Sequence, residues 1–98
     1  MEIIKKKEGS QLIIAVEGKI DTSTSPELET AVRSDIDSVD NLIFDFEKVT
    51  YISSTGLRVL LSAQKIMNKQ GRMVIRNVSS SVMDIFDITG FVDILDIE

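Results

Sequence analysis

The chain has 98 residues, a net charge of −5 and an apolar fraction of 43%, which together indicate one globular domain over residues 1–98. It contains no cysteine and no histidine. Disulfide scaffolds, thiol nucleophiles, histidine general bases and metal sites built on either residue are therefore excluded. No apolar run approaches the roughly 20 residues that cross a bilayer, and the N-terminal residues lack the layout of a signal peptide. We expect a cytoplasmic protein with no cofactor and no membrane partner.

The charges are unevenly distributed along the chain. Residues 1–48 carry six basic and eleven acidic side chains, residues 49–83 carry five basic and no acidic ones, and residues 84–98 carry five acidic and no basic ones. The negative total argues against a nucleic-acid partner. The basic segment is either a set of solvated faces or a strip that steers an acidic protein partner.

The first part of the chain predicts a hairpin and then a helix. Two strand segments, the second over Gln11–Glu17, flank a turn at Gly9, and Gly18 ends the second strand. The run Thr24-Ser25-Pro26-Glu27 predicts a helix start, with an early proline and a capping box between its first and last residues. Apolar side chains then recur at helical spacing to about residue 37.

The remainder alternates strands and helices, which predicts an α/β fold. The elements are a buried strand at Leu42–Phe46, a long helix that ends at Gly71, a strand at Met73–Ile75, a helix opened by Ser79-Ser80-Ser81 and stopped by Gly90, and a short apolar piece at Phe91–Ile94. Such an order favours a sandwich with a mixed four- to five-stranded sheet, in which an N-terminal antiparallel hairpin precedes β/α crossovers and helices pack on the sheet.

Three hydroxyl residues, Ser53, Ser54 and Thr55, stand where a strand passes into the long helix. One of them is accounted for as a helix cap, and Ser79-Ser80-Ser81 is interpreted as capping alone. Three in a row exceed what a cap needs. A helix N-terminus has free N–H groups and the positive end of the helix dipole, so it tolerates a phosphate.

Four segments of the sequence resemble the STAS domain family, in particular its small stand-alone bacterial anti-sigma factor antagonists. These segments are Gly18-Lys19-Ile20-Asp21, Leu42–Phe46, Tyr51-Ile52-Ser53-Ser54-Thr55-Gly56-Leu57-Arg58-Val59-Leu60 and Ile85-Phe86-Asp87-Ile88-Thr89-Gly90. They occur in the family's order and extend through almost the whole chain.

The resemblance implies a regulatory binding protein rather than an enzyme. Such an antagonist binds an anti-sigma factor that is also an ATP-dependent serine kinase, and so releases a sigma factor. The kinase phosphorylates the antagonist, which breaks the complex, and a serine phosphatase restores it. The family motif usually contains Asp-Ser-Ser/Thr-Gly, which makes Ser54 the expected acceptor, with Thr55 and Ser53 as fallbacks. Ser53 stands where the family usually has aspartate.

The partner-binding residues that the resemblance implies surround this motif. They are Asp21, Ser53, Ser54, Thr55, Gly56, Leu57, Arg58 and Leu61. Asp21 has a simpler interpretation as a side chain that bonds its own turn. Leu60 and Ala63 are expected in the core, whereas Leu57 and Leu61 fit either the core or a binding face. A monomer is expected, since no self-complementary surface is evident.

Two alternatives come from other classes of protein. A receiver-like domain would use Asp45, at the end of a predicted strand, as an aspartyl phosphate acceptor. A STAS-type scaffold, or a module that binds a nucleotide or another small ligand without phospho-switching, fits the same fold. The sequence has no glycine-rich phosphate loop to favour nucleotide binding.

Overall fold

The structure is a computed structural model that describes all 98 residues. It contains four strands, three α-helices and two short 3₁₀ segments. In chain order these are β1 (Glu2–Glu8), β2 (Gln11–Ile20), α1 (Ser25–Arg33), a 3₁₀ segment at Ile36–Ser38, β3 (Asn41–Ile52), α2 (Ser54–Gln70), β4 (Arg72–Arg76), α3 (Ser80–Thr89) and a 3₁₀ segment at Phe91–Asp93. None of these helices has the length and apolar character needed to cross a bilayer.

The strands form one mixed sheet in the order β1-β2-β3-β4. The β1 strand pairs antiparallel with β2 across the two-residue turn at Gly9, which has a positive φ of 61°. The β2, β3 and β4 strands are parallel, so α1 and α2 are the crossovers between them. A single bridge between Ile75 and Ile97 extends the sheet beyond β4. The predicted α/β architecture, with its hairpin and crossovers, is confirmed.

The helices and alternate strand residues share one core of 23 buried residues. Leu12, Ile14 and Val16 point into it from β2, as their period of two requires. Leu60 and Ala63 are fully or almost fully buried on α2, as expected. Burial of a large aliphatic side chain contributes about 1.5–3 kcal/mol, so this core holds the helix starts firmly against the sheet.

Several predicted boundaries were wrong. Gly18 does not end β2. With a φ of 98° it lies at a register shift, and the strand continues to Ile20. The β3 strand extends to Ile52 because it pairs with this second half of β2. Helix α1 ends earlier than predicted, at Arg33, before a 3₁₀ turn. The predicted helix stops at Gly71 and Gly90 are confirmed.

Candidate functional site: a hydroxyl cluster at the start of helix α2

The starts of α1 and α2 lie beside each other because β2 and β3 are neighbouring parallel strands. The carboxyl ends of such strands meet at one edge of the sheet, and the following segments emerge together. Ile20 pairs with Ile52 at that edge. One residue further, the Ser53 N–H donates to the Ile20 carbonyl at 2.8 Å. The hydroxyl residues of α2 are thereby placed against the turn that leads into α1.

Ser53 caps helix α2. Its Oγ accepts a hydrogen bond from the Gly56 N–H at 3.3 Å, and its carbonyl accepts from the Leu57 N–H at 2.9 Å. Ser79 caps α3 in the same way, through the Val82 N–H at 3.3 Å. The capping interpretation of both hydroxyl runs is therefore confirmed, and it uses one hydroxyl of each run.

A chain of hydroxyl groups links the two helix starts. Ser53 Oγ lies 2.7 Å from Thr55 Oγ1, and Thr55 Oγ1 lies 3.0 Å from Ser25 Oγ on α1. Ser25 Oγ donates to the Asp21 carbonyl at 2.6 Å, and only 3% of Ser25 is exposed. Sequence reasoning missed Ser25. The one signal was a small polar residue at the first turn of α1, which lies next to α2 only once the strand pairing is known.

Ser54 differs from its neighbours. It is exposed, and its hydroxyl makes no hydrogen bond within the protein, whereas Ser53 and Thr55 are half-buried and bonded to each other. As the first residue of α2, Ser54 also carries a backbone N–H that has no partner inside the helix. Ser54 is thus the exposed hydroxyl residue of the run whose side chain has no partner within the protein.

The Asp21 carboxylate holds its own turn together, as the simpler interpretation expected. Its Oδ1 accepts hydrogen bonds from Ser23 Oγ at 2.8 Å and from the Ser23 and Thr24 N–H groups, each at 3.0 Å. These bonds, that of the Ser23 hydroxyl first, lower the pKa of Asp21 below its ordinary 3.8. The contact between Asp21 and the hydroxyl cluster is made by its backbone carbonyl, which accepts from Ser25 Oγ, and not by its carboxylate.

The predicted capping box at the start of α1 does not form. Thr24 makes no side-chain cap bond. Its hydroxyl instead accepts from the Asp21 N–H at 2.8 Å and lies 3.0 Å from the Lys19 carbonyl, to which it can donate. The turn before α1 therefore uses the Thr24 hydroxyl, which in a capping box would have accepted a hydrogen bond from the N–H of Glu27, the third residue of α1.

The other predicted contact residues divide into interior and surface positions. Leu57 belongs to the core and is only 5% exposed. Gly56 is buried, and a β-carbon there would stand 2.7 Å from side-chain atoms of Ile20 and Ile52. Arg58 is exposed and Leu61 is half-buried. Gly56 and Leu57 thus support the site from below, while Arg58 and Leu61 border it.

One face of α2 is basic and starts at Ser54. We call it the α2 outer face, and its residues recur every three or four positions, which places them on one side of a helix. They are Ser54, Arg58, Leu61, Lys65 and Lys69. The three cations are exposed, make no ion pair, and have no acidic residue beside them on α2. In contrast, Arg72 and Arg76 on β4 are paired with Asp96 and Glu98.

A shallow groove of 240 Å³ borders the cluster, lined among others by Ser25 and Pro26 of α1 and by Thr55 and Arg58 of α2. Its volume lies below the ~300–1,000 Å³ typical of small-molecule sites. No group of three or more acidic side chains comes together in a way that could hold a metal ion. The arrangement suits contact with another macromolecule better than enclosure of a ligand.

Asp45, the candidate for a receiver-like site, does not lie at the end of a strand. It is half-buried in the middle of β3, because that strand continues to Ile52. Its Oδ1 accepts hydrogen bonds from the Glu47 N–H and from Asn77 Nδ2, both at 3.1 Å. The predicted position was wrong, and the carboxylate is engaged in local structure.

Comparison with known proteins decides the family. Residues 2–98 match the family described as STAS domain. The chain belongs to the STAS domain family. The resemblance read from the four sequence segments is therefore confirmed.

This STAS domain is similar to several proteins that are named as anti-sigma factor antagonists. An anti-sigma-B factor antagonist from Listeria monocytogenes is 32% identical over 97 residues, which cover 97% of this chain and 85% of that protein. Two solved structures share the fold at lower identity. An anti-sigma factor antagonist from Mycobacterium paratuberculosis gives a TM-score of 0.88 at 22% identity, covering 98% of this chain and 83% of that one. The Bacillus cell fate determinant SpoIIAA in its phosphorylated form gives 0.77 at 17% identity, covering 99% and 91%.

Proposed function

We propose that this STAS domain is an anti-sigma factor antagonist that binds an anti-sigma factor with serine kinase activity, is released by phosphorylation on Ser54, and is restored by a serine phosphatase. Ser54 carries the proposal, because it alone of the three hydroxyl residues is exposed and free of internal hydrogen bonds. The name of the Listeria relative supports the antagonist function. The phosphorylated form of SpoIIAA supports a phosphate on this fold.

The phosphoryl transfer asks little of the STAS domain itself. The kinase supplies ATP, Mg²⁺ and a base. A bond forms between Ser54 Oγ and the γ-phosphorus, the bond from that phosphorus to ADP breaks, and the Ser54 hydroxyl proton passes to the kinase base. Because Ser54 has no internal bond to lose, the phosphate is added without disturbing the cap at Ser53.

The docking surface in this proposal joins the Asp21 turn to the α2 outer face. Arg58 follows Ser54 by four residues, so the two lie one above the other on the helix. The unpaired Arg58, Lys65 and Lys69 fit a kinase surface rich in acidic side chains. The protein acts as a cytoplasmic monomer, in the compartment that holds ATP and the sigma factor.

Phosphorylation reverses the charge at the end of this surface. A phosphoserine carries about −1.5 to −2 charges at neutral pH. At position 54 it repels an acidic partner and is within reach of the Arg58 guanidinium, which it neutralises. Both effects lower the affinity for the kinase while the fold is unchanged, so phosphorylation acts as a switch.

The test is phosphorylation in extract of the source cells with Mg²⁺ and labelled ATP, followed by mass spectrometry of the modified residue. We expect acid-stable label on Ser54, and its loss in Ser54→Ala. Ser80→Ala is a matched control, because Ser80 is also an exposed first residue of a helix capped by the preceding serine. Label that persists in Ser54→Ala/Thr55→Ala, or acid-labile label, would overturn the proposal.

Binding supplies the second half of the test. Antagonist immobilised before and after phosphorylation is exposed to the kinase purified from that extract, and the dissociation constant is measured at low and physiological salt. We expect at least tenfold weaker binding after phosphorylation. Ser54→Glu should weaken binding in the same direction, and equal affinity of the two forms would contradict the switch.

A further inference from the structure

Ser25 has no place in the family motif and is almost fully buried, yet it ends the chain of hydroxyls that begins beside Ser54. We propose that Ser25 is a positioning residue that determines which hydroxyl is phosphorylated. It does so by accepting a hydrogen bond from the Thr55 hydroxyl, which withdraws Thr55 and Ser53 from reaction and leaves Ser54 as the acceptor. This inference rests on the proposed function.

The direction of the hydrogen bonds follows from counting protons. Ser25 has one hydroxyl proton, and it goes to the Asp21 carbonyl at 2.6 Å, an oxygen that can only accept. In the 3.0 Å contact between Ser25 and Thr55, the donor is therefore Thr55. The Thr55 proton is then committed, so Ser53 is the donor in the 2.7 Å contact with Thr55.

The Thr55 and Ser53 hydroxyls each have the proton and one of the two lone pairs already engaged within the protein. An acceptor oxygen must point a lone pair at the phosphorus and give its proton to the kinase base. Thr55 Oγ1 uses its proton on Ser25 and a lone pair on Ser53, and Ser53 Oγ uses its proton on Thr55 and a lone pair on the Gly56 N–H. Ser54 has neither restriction.

Ser25 is the group on which this order depends. Removal of the Ser25 oxygen leaves the Thr55 hydroxyl without the acceptor that it has within the protein. Thr55 lines the open groove between α1 and α2 and can then rotate its hydroxyl toward solvent. The rotated Thr55 offers a free proton and a free lone pair one residue from Ser54.

The test compares variants in which Ser54 cannot react. Ser54→Ala, Ser25→Ala/Ser54→Ala and Ser23→Ala/Ser54→Ala are incubated with the same extract, Mg²⁺ and labelled ATP, and the modified residues are mapped. We expect at least tenfold more label on Thr55 when Ser25 is removed. Ser23→Ala is the matched control, because Ser23 bonds Asp21 without contacting Thr55. Equal labelling of the three variants would overturn the proposal.

A rescue variant separates positioning from a general loss of structure. Ser53→Asp, added to Ser25→Ala/Ser54→Ala, supplies a carboxylate on the other side of Thr55 that can accept a hydrogen bond from its hydroxyl. We expect the label on Thr55 to fall again. Ser25→Cys makes the same comparison as Ser25→Ala, but its side chain is closer in volume to serine and its sulfur is only a weak hydrogen-bond acceptor. Label that stays high in the Ser53→Asp variant would contradict the assigned direction of the bonds.

A measurement without kinase distinguishes this inference from the proposed function. Three-bond NMR couplings report whether the Thr55 side chain holds one χ1 rotamer. We expect one rotamer in the wild type and averaging in Ser25→Ala, with the remaining spectrum unchanged. Averaging in both proteins would overturn the role of Ser25 even where Ser54 is labelled. If the couplings show one Thr55 rotamer but the extract labels no hydroxyl of the wild type, the proposed function would be contradicted instead.

Discussion

Gly71 lies against the backbone of Asp40, and a β-carbon at position 71 would stand 1.9 Å from the Asp40 carbonyl oxygen. The same carbonyl accepts the Arg72 N–H at 2.9 Å, so it is fixed where the chain leaves α2 for β4. Gly71 has a φ of 173°, an extended value that any residue adopts. Glycine is therefore required at position 71 because a side chain would have no space. At Gly90 the reason is different, because the helix ends there with a left-handed backbone conformation.

Gly71→Ala should lower the free energy of unfolding by at least about 2 kcal/mol, since backbone must move to admit the methyl group. Gly9→Ala is the informative control. Gly9 has a φ of 61° with nothing within 4 Å of its β-position. Gly9→Ala should therefore lower the free energy of unfolding only through the strained backbone conformation, by about 1–2 kcal/mol. Urea denaturation of both variants measures the two effects. A larger loss for Gly9→Ala would contradict the role of close approach at Gly71.

The two serines at the start of α2 should differ in their effect on stability. Ser53→Ala removes the cap bond to the Gly56 N–H and should lower the free energy of unfolding by about 0.5–2 kcal/mol. Ser54→Ala removes an exposed hydroxyl without a partner and should change it by no more than about 0.5 kcal/mol. Urea midpoints at constant m-value measure both. Similar losses for the two variants would mean that Ser54 has a structural bond.

An ion pair between β1 and the segment that follows α1 should make stability depend on acid pH. Lys5 Nζ lies 2.8 Å from Asp35 Oδ2, and this hydrogen bond is the main cause that lowers the pKa of Asp35 below its ordinary 3.8. Because the carboxylate is favoured in the folded state, its contribution is complete above pH 3.8 and disappears as pH falls through the lower, folded pKa.

The test measures urea unfolding of the wild type and Asp35→Asn between pH 2 and 7. The difference in the free energy of unfolding should be constant at neutral pH and should shrink below about pH 4, where the unfolded state begins to bind the proton before the folded state does. Asp37→Asn is the control, because Asp37 is exposed and makes no hydrogen bond or ion pair. A difference that grows toward acid would contradict the sign.

The order of elements was predictable because apolar side chains recur with the period of each element. The length of β3 was not. Within residues 47–51 only Val49 is buried, and the charged and polar side chains around it break the apolar pattern. The segment is extended because β2 supplies hydrogen-bond partners across two register shifts. Backbone pairing of that kind leaves no mark on the side-chain sequence. The same cause moved Asp45 from the expected strand end into the strand.

The site was predictable in part. Ser53, Ser54 and Thr55 stand out as a local run, and their position at a helix start follows from local pattern. Local pattern does not tell which of the three hydroxyls is free, because that depends on Ser25, which lies 30 residues before Thr55 in the sequence. The expected capping box at Thr24 failed for a similar reason, because the Asp21 turn competes for the same hydroxyl. Long-range hydroxyl contacts of this kind are visible only once the strands are paired.

The edge of β4 is covered by the last three residues, and their removal should cause self-association. The Ile75 N–H donates to the Asp96 carbonyl, and the Glu98 N–H donates to the Ile75 carbonyl, both at 2.9 Å. Arg72 holds Asp96 at 2.9 Å. Without residues 96–98, β4 exposes unpaired N–H and C=O groups, to which a second copy can add a strand. The opposite edge, β1, carries three consecutive lysines that oppose such pairing.

A chain ending at Leu95 should therefore sediment as a concentration-dependent dimer in analytical ultracentrifugation, whereas the full chain should remain monomeric. Asp96→Asn/Glu98→Gln is the control, because it removes the ion pairs with Arg72 and Arg76 while the backbone bonds that cover the edge remain. Exposed ion pairs contribute only about 0–1 kcal/mol each, so this variant should stay monomeric. Dimerisation of the control, or a monomeric truncated chain, would show that backbone pairing by residues 96–98 is not what protects the β4 edge.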